Sequence, residues 1–380
     1  MEKQKNIGVI TMHRVLNYGS YLQTYATYKF IQACGYNAVI IDYLFPNNYH
    51  KSLAAKRLNT TKKTNWIKNK IAGICFRLIR QNEALRTEKF SSFYKKELTF
   101  TKTYFSLDEL QQDPPIFDIY ITGSDQVWNP IWVGIDTAFL LSWVPKNRPK
   151  YSYAASFGLK ELPSDISHFY KPYLEQYTAI SIREQSEILE KMGLPQGKVV
   201  LDPTFLLNKD EWGGVITSQK PLIQGPYILC YLLDYTFNPF PYAHKVIKYI
   251  AKKTGYKIVM ITSDPTNILR GYQVYPNCGP YDFLNLFYYA QFIITSSFHG
   301  TAFAINFQKS FISIVNDEQT LDNRQLAIIK ELHVNPSCIL IKNTPLKGFE
   351  LPSPNYQLNV IERLRNISKR YFRDLIIGCL

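Results

Sequence analysis

A chain of 380 residues, 46% hydrophobic and 19% charged, has the length of two ordinary globular domains and excludes collagen-like and disordered classes. Its formal charge of +14 is uneven: residues 46–105 carry 14 Lys and Arg against three Glu, a local balance of +11, which leaves +3 for the remainder. The basic segment lacks a nucleic-acid-binding motif and the rest is near neutral, so a nucleic-acid partner is not expected.

Six cysteines (34, 75, 230, 278, 338, 379) are scattered without a CxxC pair, as in a reduced, cytoplasmic chain. No leader is expected, since Met1 to Asn6 read straight into the first strand, and no run approaches the ~18 apolar residues of a membrane span. The expectation is a cytoplasmic protein, soluble or peripheral on the inner face of the membrane. Aromatics at 15%, with 28 Tyr, are compatible with carbohydrate contact.

In chain order, Ile7 to Thr11 reads as a strand, Met12 to Ser20 as a loop, Tyr21 to Cys34 as a helix and Ala38 to Tyr43 as a strand. This βαβ unit carries Asn17-Tyr18-Gly19-Ser20 near the end of its first strand, where ligands gather in parallel sheets. In the basic segment, Trp66, Ile67, Ile71, Ile74, Cys75, Leu78 and Ile79 form an apolar stripe flanked by Lys68, Lys70, Arg77 and Arg80. Such a helix either lies on an anionic membrane or docks on its own domain with its charges in water.

Further strands are read at Ile116 to Thr122, Tyr151 to Ala155 and Ala179 to Ile182, each followed by a polar loop. After a connection over Trp212 to Pro226, a second set follows: strands at Tyr227 to Leu233, Lys257 to Thr262, Phe292 to Thr295 and Phe311 to Val315, with helices at Tyr242 to Thr254, Tyr281 to Tyr289 and Asn323 to Leu332. A last helix, Asn355 to Ile377, carries five Arg and Lys. Alternating strands and helices predict two doubly wound parallel α/β lobes, 1–200 (with the basic insertion 46–105) and 201–354, and a C-terminal helix, 355–380, returning to the first lobe.

The stretch around Phe292 is the most informative. A buried strand runs into Ser296-Ser297-Phe298-His299-Gly300, and a helix is read from Thr301 to Phe307. Free amides and the positive end of that helix suit an anion, and His299 adds a titratable donor. The alternative is a turn whose His only caps the helix. There is no HxxxH, HExxH or Asp-x-Asp pair, so no metal is expected. GxxxxGK[ST] and GxGxxG are also absent.

Taken together, Asn17-Tyr18-Gly19-Ser20-x-Leu22-Gln23, Gly123-Ser124-Asp125-Gln126-Val127-Trp128, Tyr153 to Gly158, Ser181-x-Arg183-Glu184, Asp202-Pro203-Thr204 and Ser297 to Phe303 resemble the polysaccharide pyruvyl transferases, from about residue 7 to about 330. The resemblance implies a GT-B-like fold, two Rossmann-like lobes around a cleft. It implies phosphoenolpyruvate as donor, no cofactor, and a pyruvate ketal formed on a surface glycan. The acceptor in such pathways is often a lipid-diphosphate-linked sugar at the inner leaflet. By the same resemblance, Arg183 and His299 hold the donor, with Ser297, Gly300 and Thr301 at the helix start. Asn17, Tyr18, Gly19, Ser20, Gln23, Ser124, Gln126 and Trp128 then belong to the acceptor or phosphate loops. The chain departs from the pattern at Ser297, where many members have Arg, and at Gln319, where many have Lys. Arg324 is the expected substitute, with Lys309 as the alternative.

Chemically, His299 suits the proton donor to the enol ether. Asp125 and Glu184 are candidates for the base that activates the sugar hydroxyl, Asp125 equally for a structural Asx turn. Two other readings remain open: a GT-B glycosyltransferase using a nucleotide sugar, with Asp264 or Asp317 for the ribose, and a membrane-associated scaffold whose cleft has lost its chemistry.

Overall fold

The computed structural model describes residues 4–45, 66–184, 187–195, 197–216, 220–317 and 324–376. In chain order its elements are β1 (Asn6–Ile10), α1 (Tyr18–Ala33), β2 (Asn37–Ile40), α2 (Trp66–Glu97), α3 (Leu107–Gln112), β3 (Ile119–Thr122), α4 (Pro130–Val133), β4 (Lys150–Ser152), α5 (Ser164–Leu174), β5 (Ser181–Ile182), α6 (Ile188–Lys191) and β6 (Lys198–Val199). There follow α7 (Lys209–Ile216), β7 (Tyr227–Tyr231), α8 (Tyr242–Thr254), β8 (Lys257–Met260), β9 (Gln273–Val274), α9 (Pro280–Tyr289), β10 (Phe292–Thr295), α10 (Phe298–Asn306), β11 (Ser310–Val315), α11 (Arg324–Glu331), β12 (Ile339–Ile341) and α12 (Leu358–Tyr371).

These form two compact units. The first draws on Met1–Lys62, Tyr94–Leu206 and Glu362–Leu380, the second on Lys63–Phe93 and Leu207–Ile361. The sequence reading counted all of 46–105 with the first lobe; the structure groups Lys63–Phe93 with the second. There Lys89 pairs with Asp282 at 2.7 Å, Asn277 Nδ2 donates to Asn82 Oδ1, and Phe93 lies edge-on to Tyr281. Residues 46–65, and the side chains of α2 before Ile79, lie outside the described residues, and with them the apolar stripe apart from Ile79.

In the first unit β2-β1-β3-β4 are parallel neighbours, and parallel bridges Tyr151↔Ala179 and Ala155↔Ile182 extend this order to β5 and β6. Strand β1 is flanked by the next strand on one side and by β3 on the other, so the order reverses between β1 and β3. The C-terminal helix belongs here. Arg365 Nε donates to Phe205 O at 2.7 Å, Ser368 Oγ accepts from Leu201 N, and Phe372 packs on Phe30 and Tyr153. That helix is shorter than expected, because the chain winds into a π turn from Phe372 to Ile376.

In the second unit the order is β12-β11-β10-β7-β8-β9, all parallel. The central strands β7 and β10 are buried along their whole length, as sheets covered on both faces require. The reversal falls between β7 and β10. In open parallel sheets ligands bind outside the carboxyl ends of the strands at such reversal points. What the sequence reads as a connection from Trp212 opens inside a helix, since Trp212 to Ile216 complete α7, anchored by the buried Trp212 against Phe303.

Candidate functional site

Each unit places polar side chains at its own reversal point. In the second unit β10 ends at Thr295, whose hydroxyl donates to Tyr231 O at 2.7 Å and accepts from Ser297 N. Ser296 Oγ donates to Leu233 O and accepts from Leu233 N, which ties the loop after β10 to the loop after β7. Ser297 is extended (φ −104°) and caps α10, its Oγ accepting from Gly300 N. The helix therefore begins at Phe298, three residues before the expected start, and His299 and Gly300 form its first turn.

The glycine is there for space. A Cβ at Gly300 would lie 2.2 Å from Thr295 Oγ1 and 3.2 Å from a Tyr231 ring carbon, so α10 rests directly on β10 and β7. Gly300→Ala is expected to cost about 1–3 kcal/mol of overpacking; urea unfolding measures it, and an unchanged midpoint would refute the close approach. Thr301 Oγ1 meets Ser313 Oγ at 2.9 Å and so fixes the helix to β11.

His299 is buried beside Phe298, with ring centroids 5.1 Å apart. Arg324 opens α11, and its guanidinium carbon lies 5.7 Å from the centroid of the same Phe298 ring, a cation–π contact. Next to it, Gln325 Nε2 donates to Ser296 O at 3.0 Å, while its buried Oε1 has no partner among the described residues. Arg324 thus stands at the start of α10. Lys309 does not: it follows the far end of that helix, at the amino end of β11, where burial beside Tyr288 and then the Lys209 charge lower its pKa to about 8. Gln319 lies outside the described residues.

In the first unit the loops after β1 and β3 are laced together. Thr11 Oγ1 donates to Ser124 O and Ser20 Oγ donates to Asp125 Oδ2 at 2.6 Å. Asn17 caps α1 by accepting from Gly19 N, so the helix starts at Tyr18, three residues earlier than read. Asp125 adopts φ +76°, rare for a non-glycine residue, and its Oδ1 accepts from Gln126 N.

Arg183 closes this arrangement. Its Nη1 donates to Asp202 Oδ2 at 3.3 Å and lies 3.9 Å from Asp125 Oδ1, while Nε donates to Glu184 Oε2 at 3.2 Å. Glu184 Oε1 accepts from Ser156 Oγ and Gly158 N. Asp202 also accepts from Ser124 Oγ, Thr204 N and Thr204 Oγ1. One guanidinium thus serves three carboxylates. The Arg183 side chain is 2% exposed and Asp202 is fully buried, against 11% for Asp125 and 18% for Glu184, so the latter two carboxylates face outward and the cation lies behind them.

Several loop residues expected at the acceptor act as supports. Gln23 Nε2 bonds Thr11 Oγ1 and Ser20 O, Trp128 Nε1 donates to Phe139 O, and Gln126 Oε1 accepts from Asn129 and Trp132. Gln23, Ser124 and Trp128 are wholly buried, and Tyr18 nearly so.

A further cluster at the same sheet edge escaped the sequence reading. Both nitrogens of buried His13 face acceptors, Thr11 O at 3.1 Å and Asp42 Oδ1 at 2.9 Å. Asp42 also accepts from Arg14 Nε at 2.6 Å, from Arg14 Nη2 and from Thr103 Oγ1 at 2.6 Å. The only cue in the sequence is that His13 and Asp42 each lie just beyond a strand of the same βαβ unit.

Comparison with known proteins gives a family and a fold. The family model for polysaccharide pyruvyl transferase matches residues 17–318. No curated protein matches the sequence. Among solved structures, a Listeria monocytogenes protein assigned as a UDP-N-acetylglucosamine 2-epimerase is 10% identical, with 98% of each chain covered and a TM-score of 0.52. The UDP-N-acetylglucosamine 2-epimerase of Rickettsia bellii is likewise 10% identical, with 99% and 96% covered and a TM-score of 0.52. At this identity the likeness is one of fold, the GT-B-like α/β architecture expected from the sequence.

Proposed function

Because the chain belongs to the polysaccharide pyruvyl transferase family, we propose that it transfers the enolpyruvyl group of phosphoenolpyruvate to a sugar of a surface glycan, closing a pyruvate ketal. The donor is assigned to the second unit, where the positive end of α10 lies at the reversal point between β7 and β10 and Arg324 adds a cation. The reading rests on that placement of His299, Gly300 and Arg324 around one helix start, a setting that favours phosphate and carboxylate oxygens.

The three carboxylates around Arg183 in the first unit weigh against placing the donor beside it. Like charges ~5 Å apart at an effective dielectric of ~20 repel by about 3 kcal/mol per pair, and the cluster carries three negative charges against one positive. Arg183 is therefore assigned the holding of Asp125 and Glu184, whose outward oxygens suit sugar hydroxyls.

In the reaction, His299 gives a proton to the methylene carbon of phosphoenolpyruvate. The neighbouring carbon becomes cationic and receives one sugar hydroxyl, which loses its proton. Phosphate leaves from that carbon, a second hydroxyl adds with loss of its proton, and the ketal closes. The acceptor is proposed to be lipid-linked.

Thermal stabilisation tests the donor. A ligand at a hundred times its Kd stabilises the folded state by about 2.7 kcal/mol, so phosphoenolpyruvate is expected to raise Tm by several degrees in the wild type and not in Arg324→Ala or His299→Ala. UDP-galactose and GDP-mannose are expected to leave Tm unchanged. A shift only with a nucleotide sugar would replace this reading with that of a glycosyltransferase.

A further inference from the structure

Residues 242–271 hold a second cationic region that an overall charge count conceals, with five Lys and one Arg against a single Asp. On α8, Ala243, Val246, Ile247 and Ile250 are buried, whereas Lys245, Lys248 and Lys252 are exposed. At 100° per residue these three lysines fall within one narrow stripe opposite the buried face. The stripe points straight away from the sheet.

A second exposed feature is the 3₁₀ turn Pro265–Arg270, which follows β8. This turn presents Ile268 and Leu269 to solvent, 59% and 90% exposed. His244, near the start of α8, ties the two together. Its ring lies 5.8 Å from that of Tyr272, just past the turn, and its pKa is lowered by burial and then by the positive charges of Arg270 and Lys248, against the pull of Asp264. The start of α8 and the end of β8 share one edge of the parallel sheet, and His299 stands on that edge after β10.

Two adjacent aliphatic side chains in water next to Arg270, together with the three outward lysines of α8, match the two layers of a bilayer surface: acyl chains below and anionic headgroups above. An acidic protein partner would suit the lysines but leave Leu269, the most exposed leucine among the described residues, without a purpose.

We propose that the lysine stripe of α8 and the Ile268–Leu269 prong form a docking surface for an anionic lipid bilayer, which brings the His299 edge of the second unit to the membrane. This deepens the lipid-linked acceptor proposed above and rests on it for its purpose only. Phosphoenolpyruvate binding is read separately, by thermal shift, so failure of either reading leaves the other standing.

The test is flotation of the full chain with vesicles of phosphatidylcholine alone or mixed with phosphatidylglycerol. The wild type is expected to float with the mixed vesicles and to be released by salt. Neutralising the stripe (K245Q, K248Q and K252Q together) is expected to weaken binding about a hundredfold, at roughly a tenfold loss or less per charge. Ile268→Ser with Leu269→Ser is expected to weaken it at least about tenfold, the scale of one lost aliphatic burial. All five side chains are exposed, and an unchanged Tm verifies the fold of each variant. No flotation of the wild type, or equal flotation of wild type and both variants, would overturn the proposal; the latter would assign membrane binding to another surface such as α2.

Discussion

Arg183→Ala is expected to lower the stability of the first unit by about 3–5 kcal/mol, the scale of removing one partner from a buried ion cluster. The guanidinium is the counter-charge for Asp202, Glu184 and Asp125, and Asp202 has no exposure through which water could take its place. For a unit of this size that loss is a Tm drop of roughly 10 °C, to be read by calorimetry as a shift of one transition. Arg183→Lys is expected to recover only part of it, since an ammonium lacks the planar fork that meets Asp202 with Nη1 and Glu184 with Nε at once. The alanine variant is expected to regain stability in mildly acidic buffer, where protonation removes uncompensated negative charge. A variant that melts with the wild type at neutral pH would show that the cluster is not the clamp described.

The second large effect is at Asp42. Burial raises its pKa, but hydrogen bonds from His13, Arg14 and Thr103 outweigh burial and hold the carboxyl well below the usual range. A carboxyl whose folded pKa is depressed stabilises fully above its unfolded pKa of about 4, and that contribution fades as pH falls toward the folded value. Asp42→Asn is therefore expected to cost about 3 kcal/mol at pH 7, and its deficit against the wild type is expected to shrink by roughly 1 kcal/mol at pH 3. Urea unfolding at the two pH values measures both. A deficit that is equal at pH 7 and pH 3 would mean that the ionised carboxylate is not what stabilises this corner.

The alternation of strands and helices was legible because the strands are short apolar runs with polar ends, and the motifs fall where those ends lie. Helix starts were not. The Ser297–Gly300 stretch reads as a turn because His and Gly are poor helix formers, yet Ser297 caps and Gly300 fits where no side chain does. Asn17 is the same case at α1. The motif residues were found, but their division of labour was not. Gln23, Ser124 and Trp128 look like ligand contacts in a polar loop and are braces in the fold. The partners of Arg183 come from three separate loops, and His13 and Asp42 are 29 positions apart, so only the folded sheet joins them. The charge on α8 was hidden by averaging over everything outside 46–105.

The first unit is assembled from three separated stretches of chain, and its last pieces, Arg365, Ser368 and Phe372, close over Phe205, Leu201, Phe30 and Tyr153. During synthesis, which runs from amino to carboxyl end, the second unit's sheet is complete in the nascent chain before the first unit can be finished. The unit begun first on the ribosome is thus the one completed last. Until residue 372 has emerged, the amide of Leu201 and the rings of Phe30 and Tyr153 lack the partners that the last stretch of chain brings them.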